Sequence, residues 1–196
     1  MIVVVSGIPR SGTSLMMQMV AAAGIPLYAD GTRPADAFNP DGYFEHDAIK
    51  RLGADGSVLD GAEGMAVKVV VPLVRYLPSH HGRYYKVIMM ERDPDAVMVS
   101  QDRMLRAFGT LPGNGPDPEA LRLALAEIHR RTLAALSARA DVEILPVDYD
   151  ALVASPVVQA TRLLAFLGSA AGPDTLTRLI RPSGSSGVGQ HPYQSH

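Results

Sequence analysis

The residues best suited to chemistry lie close to the start of the chain, in Gly7-Ile8-Pro9-Arg10-Ser11-Gly12-Thr13-Ser14. Gly7 and Gly12 let a backbone curl around an anion with no Cβ in the way. Arg10 adds a fixed charge, and Thr13 and Ser14 add hydroxyl donors. Residues 2–6, just before this stretch, are a β-branched apolar run that reads as a buried strand. Residues 15–24, just after it, are rich in helix formers and stop at Gly24. The unit is therefore strand, phosphate loop, helix. The first N–H groups of such a helix lack internal partners and carry the positive end of its dipole, so they attract an anion.

The spacing Gly-x4-Gly-x-Ser matches the ATPase loop except at one place. Thr13 stands where that loop has its lysine. Kinases and ATPases use that lysine on the β- and γ-phosphates, so its absence argues against them.

A second set of residues comes after a second apolar run. Residues 84–90 read as a strand, and Arg92 leaves its C-terminal edge, where ligands of open α/β sheets bind. Asp93 is a natural N-cap and Pro94 a natural first residue for a helix reaching about residue 108. Ser100 lies two turns into it. A guanidinium can fork two phosphate oxygens while a hydroxyl takes a third.

The other elements position these groups. Residues 65–71 read as a buried strand ended by Pro72, and residues 141–147 as a further strand whose proline suggests an edge. Helices are expected over 45–52, 94–108, 118–140, 156–167 and 173–180, the longest with an apolar stripe of Leu121, Leu125, Ile128, Leu133 and Leu136. Strands alternating with helices predict a parallel sheet covered on both faces. The long irregular stretch 25–44 predicts a substrate lid beside the phosphate loop. One domain over 1–181 is expected, with a Gly/Ser-rich tail over 182–196.

Pro9-Arg10-Ser11-Gly12-Thr13-Ser14 resembles the 5′-phosphosulfate loop of sulfotransferases, Pro-Lys/Arg-Ser-Gly-Thr-Ser/Thr. Arg92-Asp93-Pro94 with Ser100 resembles the same family's 3′-phosphate motif, down to the separation of eight residues between Arg92 and Ser100. The resemblance implies a three-layer α/β/α domain of P-loop type with a mainly parallel sheet. It also implies 3′-phosphoadenosine 5′-phosphosulfate (PAPS) as sulfuryl donor, with 3′,5′-adenosine bisphosphate (PAP) as product. Arg10, Ser11, Gly12, Thr13 and Ser14 would hold the 5′-phosphosulfate, and Arg92 and Ser100 the 3′-phosphate. Lys68 aligns with the lysine of the family's Lys-Thr-His segment, whereas Val70 stands where those enzymes have a histidine base. Some sulfotransferases use a glutamate base, which makes Glu45 the leading candidate, with His46 beside it. The expected catalytic set is thus Arg10, Glu45 and Lys68, with no metal. The nearest match to the family's later nucleotide loop is Arg181-Pro182-Ser183-Gly184, a poor one.

Composition narrows the alternatives. Hydrophobic residues make up 47% and charged residues 19% of the 196, a globular balance. The formal net charge of −2 gives no global case for nucleic-acid binding. The absence of cysteine excludes disulfides, thiol catalysis and cysteine-bound metal. A strand starting at residue 2 leaves no signal peptide ahead of it, and no apolar run approaches the ~20 residues of a membrane helix. A cytoplasmic enzyme acting on a small-molecule or glycan hydroxyl, or an amine, is expected, free of membrane and nucleic acid. A tail docked on a second copy would make a homo-oligomer, which the sequence leaves open. Two rivals stand beside this reading. One is an ATP-dependent kinase-like enzyme using Glu91 near magnesium, and the other a non-catalytic PAP-binding protein.

Overall fold

In the computed structural model, residues 1–79, 82–107, 109 and 117–180 are described. Four strands, β1 (Ile2–Gly7), β2 (Ala66–Lys68), β3 (Tyr85–Glu91) and β4 (Val142–Asp148), form one parallel sheet in the order β2-β1-β3-β4. The chain leaves β1 first for one side of the sheet and then for the other, so β1 marks the switch point at which open α/β sheets open a crevice.

β1 is buried along its whole length because its side chains feed two cores. Val3 and Val5 pack with Ile88 and Met90 under α1 (Thr13–Ala22), α5 (Pro156–Leu167) and α6 (Pro173–Thr177). Ile2 and Val4 pack with Val67, Tyr85, Val87 and Met89 on the other face. That face is closed by three short 3-10 segments, Asp47–Arg51, Gly56–Leu59 and Leu73–Tyr76, and by Leu136 of α3 (Pro118–Ser137). Burying one such aliphatic side chain contributes about 1.5–3 kcal/mol. Doubly buried strands read as continuous apolar runs for this reason.

Several elements differ from expectation in instructive ways. Regular pairing of β2 ends at Lys68, three residues short of the apolar run, although Val69 and Val71 still donate to the Val5 and Gly7 carbonyls at 3.0 and 3.2 Å. The run 45–52 folds only as the 3-10 segment Asp47–Arg51, and the helix expected to reach residue 180 ends at Thr177. Pro146 does sit on an edge strand, as its missing N–H requires. A helix not foreseen, α4 (Tyr149–Ala154), begins directly at the end of β4 because the Asp148 carboxylate accepts from Ala151 N at 2.6 Å. The apolar stripe of α3 is buried only at its C-terminal end. Leu136 is inaccessible, while Ile128 is 38% exposed, where the helix leaves the sheet to lie along α2 (Pro94–Ala107). Among the described residues no helix is long and apolar enough to cross a membrane. His80, His81, most of the 109–117 loop, Arg181 and the tail lie outside the described residues.

Candidate active site

All four strands deliver a site residue at their C-terminal ends: Gly7 from β1, Lys68 from β2, Arg92 just after β3, and Tyr149 just after β4. The loop between β1 and α1 is shaped by conformations few residues adopt. Gly12 has φ 95°, and a Cβ there would lie 2.5 Å from the Tyr149 ring. A Cβ on Gly7 would lie 2.4 Å from Ser11 Oγ and 2.9 Å from the Met90 carbonyl oxygen. Arg10 itself takes a left-handed φ of 75°. No side chain caps α1. Its first N–H groups are left for something other than this chain's side chains.

The two sets of residues singled out in the sequence meet here. Arg10 Nε donates to Ser100 Oγ at 3.0 Å, and Arg92 Nη1 donates to the Arg10 carbonyl at 3.0 Å. The Arg92 guanidinium lies 4.4 Å over the Tyr149 ring, which props it against the loop. It makes no ion pair with Asp93 or Asp95; Asp93 instead caps α2 by accepting from Asp95 N and Ala96 N. Arg10 therefore reaches the partners expected for the 3′-phosphate and does not stand over the loop alone. Burial pushes the Arg10 guanidinium down from the ordinary arginine range; the charge of Arg92 adds to this, and Tyr43 opposes it.

Lys68 is buried, its side chain only 5% exposed. Its Nζ donates to the Tyr43 carbonyl at 2.9 Å, to Ser14 Oγ at 3.2 Å and to Glu45 Oε1 at 3.3 Å. Burial lowers its pKa, and Glu45 works against that shift. This one ammonium thus ties the phosphate loop to the segment that carries the candidate base. Arg10, Thr13, Ser14, Glu45, Lys68 and Arg92 all border one cavity of about 400 Å³. Val70 borders it too, where the resemblance would have put a histidine. His46 does not: its ring stacks on Tyr28 at 4.4 Å and its Nδ1 accepts from Ala48 N.

Between Asp30 and Glu45 the chain forms a strap over this cavity. Its neck is closed by Asp30 N donating to the Glu45 carbonyl at 3.2 Å and by Asp47 N donating to Asp30 Oδ2 at 2.6 Å. Inside it, Asp36 accepts from Phe38 N, Asn39 N and the Tyr43 hydroxyl. Asn39 Nδ2 donates to both Ser14 Oγ and the Gly42 carbonyl. Arg33 lies 3.4 Å over the Tyr43 ring and pairs with Glu45. Asn39, Arg33 and Tyr149 were not among the expected site residues. Asn39 and its Asn-Pro turn gave a local signal; Arg33 and Tyr149 gave none.

The site fits a phosphosulfate donor on its own observations. Ser11 Oγ and Arg92 Nε are buried without a hydrogen-bond partner among the described residues. Such groups are costly unless something binds them. Two cradling glycines, an uncapped helix start and four cations around one cavity supply the rest. Among the described residues no three His, Asp or Glu side chains are grouped to hold a metal ion.

Comparison with known proteins points to one family of folds. The sequence profile of the sulfotransferase family matches residues 84–172, from the start of β3 through α5, and so includes Arg92 and Ser100. The fold is that of sulfotransferases. Retinol dehydratase, solved with androsterone and inactive cofactor PAP, superposes with a TM-score of 0.56 at 21% identity over 91% of this chain and 62% of that one. Retinol dehydratase solved with retinol and PAP gives 0.53 at 19% identity, covering 91% of this chain and 63% of that one. The sulfotransferase domain of the curacin biosynthetic pathway gives 0.55 at 15% identity over 92% of this chain and 78% of that domain. The chain thus spans under two thirds of the retinol dehydratase chains. No curated protein matches it in sequence.

Proposed function

We propose that this protein is a PAPS-dependent sulfotransferase acting on a hydroxyl, or an amine, of a small-molecule or glycan acceptor. The observation that carries the reading is the pair of links across one cavity. Arg10 and Arg92 join the phosphate loop to Ser100, and Lys68 joins it to Glu45. A single domain over 1–181 and a cytoplasmic setting belong to the same proposal.

PAPS supplies a sulfuryl group already attached to a phosphate leaving group. Arg10, Ser11, Thr13, Ser14 and the start of α1 hold the phosphosulfate end, and Arg92 with Ser100 the 3′-phosphate. Lys68 and Arg10 stabilise the charge that builds on the leaving oxygen as the S–O bond breaks. Glu45 takes the proton from the acceptor oxygen as the new O–S bond forms. Lys68 holds the Glu45 carboxylate in place, while Val70 gives the site a dry wall. The strap forms the remaining wall through Asn39 and Tyr43.

Against a kinase, Thr13 replaces the phosphate-loop lysine, and Glu91 does not border the cavity but faces His129 Nε2 at 3.2 Å. Against a purely binding role, Glu45 faces the same cavity as Arg10. The test is calorimetric titration with PAP and with Mg-ATP. PAP is expected to bind and Mg-ATP is not. Arg92→Ala should weaken PAP by about 1.5–3 kcal/mol, the worth of hydrogen bonds to a charged group. Binding of Mg-ATP with indifference to PAP would overturn the reading. Tight PAP binding with no turnover on any acceptor, and no effect of Glu45→Gln, would favour the binding role.

A further inference from the structure

A second cavity of about 560 Å³ opens on the far side of Glu45 and Lys68. It shares Arg33, Glu45, Lys68 and Val70 with the first. Its remaining walls are partly apolar, from Pro34, Ile49 and Leu73, and partly polar or charged, from Thr32, His46, Asp47 and Lys50. A molecule there reaches Glu45 from the side away from the phosphate loop. Resting on the sulfotransferase reading, this is the acceptor's cavity.

The cation that decides what enters it is Arg33. Lys68 is spent on Ser14, Tyr43 and Glu45, and Lys50 is paired with Asp47. Arg33 is held differently. Its guanidinium is fixed face-on to the Tyr43 ring, and among the described residues it hydrogen-bonds through Nη1 alone, to Glu45 Oε1 at 3.4 Å and Oε2 at 3.3 Å. Its Nε and Nη2 make no hydrogen bond among the described residues. These two donors share one edge of the planar group, and that edge suits a carboxylate bound by two parallel hydrogen bonds. Stacking on Tyr43 costs the arginine its freedom in advance, which favours binding at that edge. The side chain is 45% exposed and therefore open to a ligand.

We propose that the natural acceptor carries a carboxylate as well as the hydroxyl to be sulfated, and that Arg33 selects it. A singly charged carboxylate fits better than a phosphate dianion, because Glu45 and Asp47 also wall the cavity. The same contact couples selection to catalysis. Glu45 and the acceptor's carboxylate share one guanidinium through different edges, so a bound hydroxy acid weakens the Arg33 pair with Glu45, while Lys68 keeps that carboxylate in place to meet the hydroxyl.

The test uses hydroxy acids as probes. Mandelate and para-hydroxyphenylacetate, each against its methyl ester, are titrated calorimetrically onto the full chain with and without PAP. The acids are expected to bind at least about tenfold tighter than the esters, the scale of one charge-assisted hydrogen bond. Arg33→Gln should collapse that ratio to near one. Glu45→Gln should tighten acid binding in the wild-type background and not in Arg33→Gln, a pattern a merely structural arginine would not produce. Acids and esters alike, including a lack of binding by both, would overturn the proposal, as would a preference that survives Arg33→Gln. Failure of PAP to bind the same samples would instead sink the sulfotransferase reading, since the contrast between acid and ester is also read without PAP.

Discussion

The phosphate loop and the strap line the same cavity and are held in opposite ways. The loop is backbone wedged into the sheet. Ser11 and Thr13 are buried, Gly7 sits against the Met90 carbonyl, and Gly12 leaves no room beside Tyr149. The strap is side chains holding their own backbone. Asp30 closes its neck, Asp36 and Asn39 shape its tip, and Arg33 bridges Tyr43 and Glu45. A loop built by steric exclusion presents one fixed arrangement of N–H groups, as the proposed donor site requires. A strap built from exchangeable polar contacts can change its lining without disturbing the sheet.

Lys68 is where the comparison can be broken hardest, because its buried ammonium touches both regions, Ser14 on one side and Tyr43 and Glu45 on the other. Lys68→Met keeps the bulk and removes the charge. Turnover of PAPS is expected to fall roughly 10²–10³-fold, the usual cost of losing a preorganised donor at a developing charge. PAP, which lacks the sulfuryl group, should bind within a few-fold of wild type. Burial already disfavours this ammonium, so the melting temperature should move little. Rates in a labelled-sulfate assay decide the matter. Equal losses in rate and PAP affinity would mean that Lys68 acts with the phosphate loop alone.

Gly12→Ala probes the loop by itself. The residue would need a left-handed φ and would overlap the ring that props Arg92. Strain of this kind costs about 1–3 kcal/mol. In a chain of this length that is a drop of several degrees in melting temperature, of order 2–4 °C per kcal/mol. PAP binding should weaken by at least about tenfold over and above that. Thermal melts alongside calorimetry check both, and wild-type PAP affinity would show that the loop is less constrained than its packing implies.

The same contrast explains which residues were legible in the sequence. The loop, Arg92 and Ser100 could be read because their geometry depends on neighbours close in the chain: two glycines, an aspartate cap, a proline. Lys68 was singled out by its alignment with the lysine of the sulfotransferase Lys-Thr-His segment, and the pairing of β2 with β1 is what brings it to the loop. The direct contact of Arg10 with Ser100 was not, since it joins residues 90 positions apart through the packing of α2 against the loop. Tyr149 was hidden because α4 starts without a break after β4, leaving no turn signal. Arg33 was hidden because its role depends on the path of the whole strap, which is set by several side-chain bonds that no periodicity records. The phosphate-loop side of the cavity is written locally and the strap side is written in tertiary contacts.

The smallest expected effect concerns the neck of the strap. The Asp30 carboxylate is held down from 3.8 to about 2, first by the backbone N–H of Asp47 and then by the N–H and hydroxyl of Thr32. A folded-state pKa below the unfolded one means that this carboxylate stabilises the fold at pH values above the unfolded range. That contribution fades as pH falls from about 4 towards 2. Asp30→Ala should therefore lower stability at neutral pH and flatten its decline with acid over the same interval, while leaving PAP affinity near wild type because the loop keeps its own supports. Limited proteolysis should cut within 30–45 faster than in the parent. Denaturant titrations across that pH range, with cleavage sites mapped by mass spectrometry, separate the two regions. If Asp30→Ala weakens PAP as much as it loosens the strap, the phosphate loop depends on the strap, and the division between a sheet-built loop and a self-built strap fails.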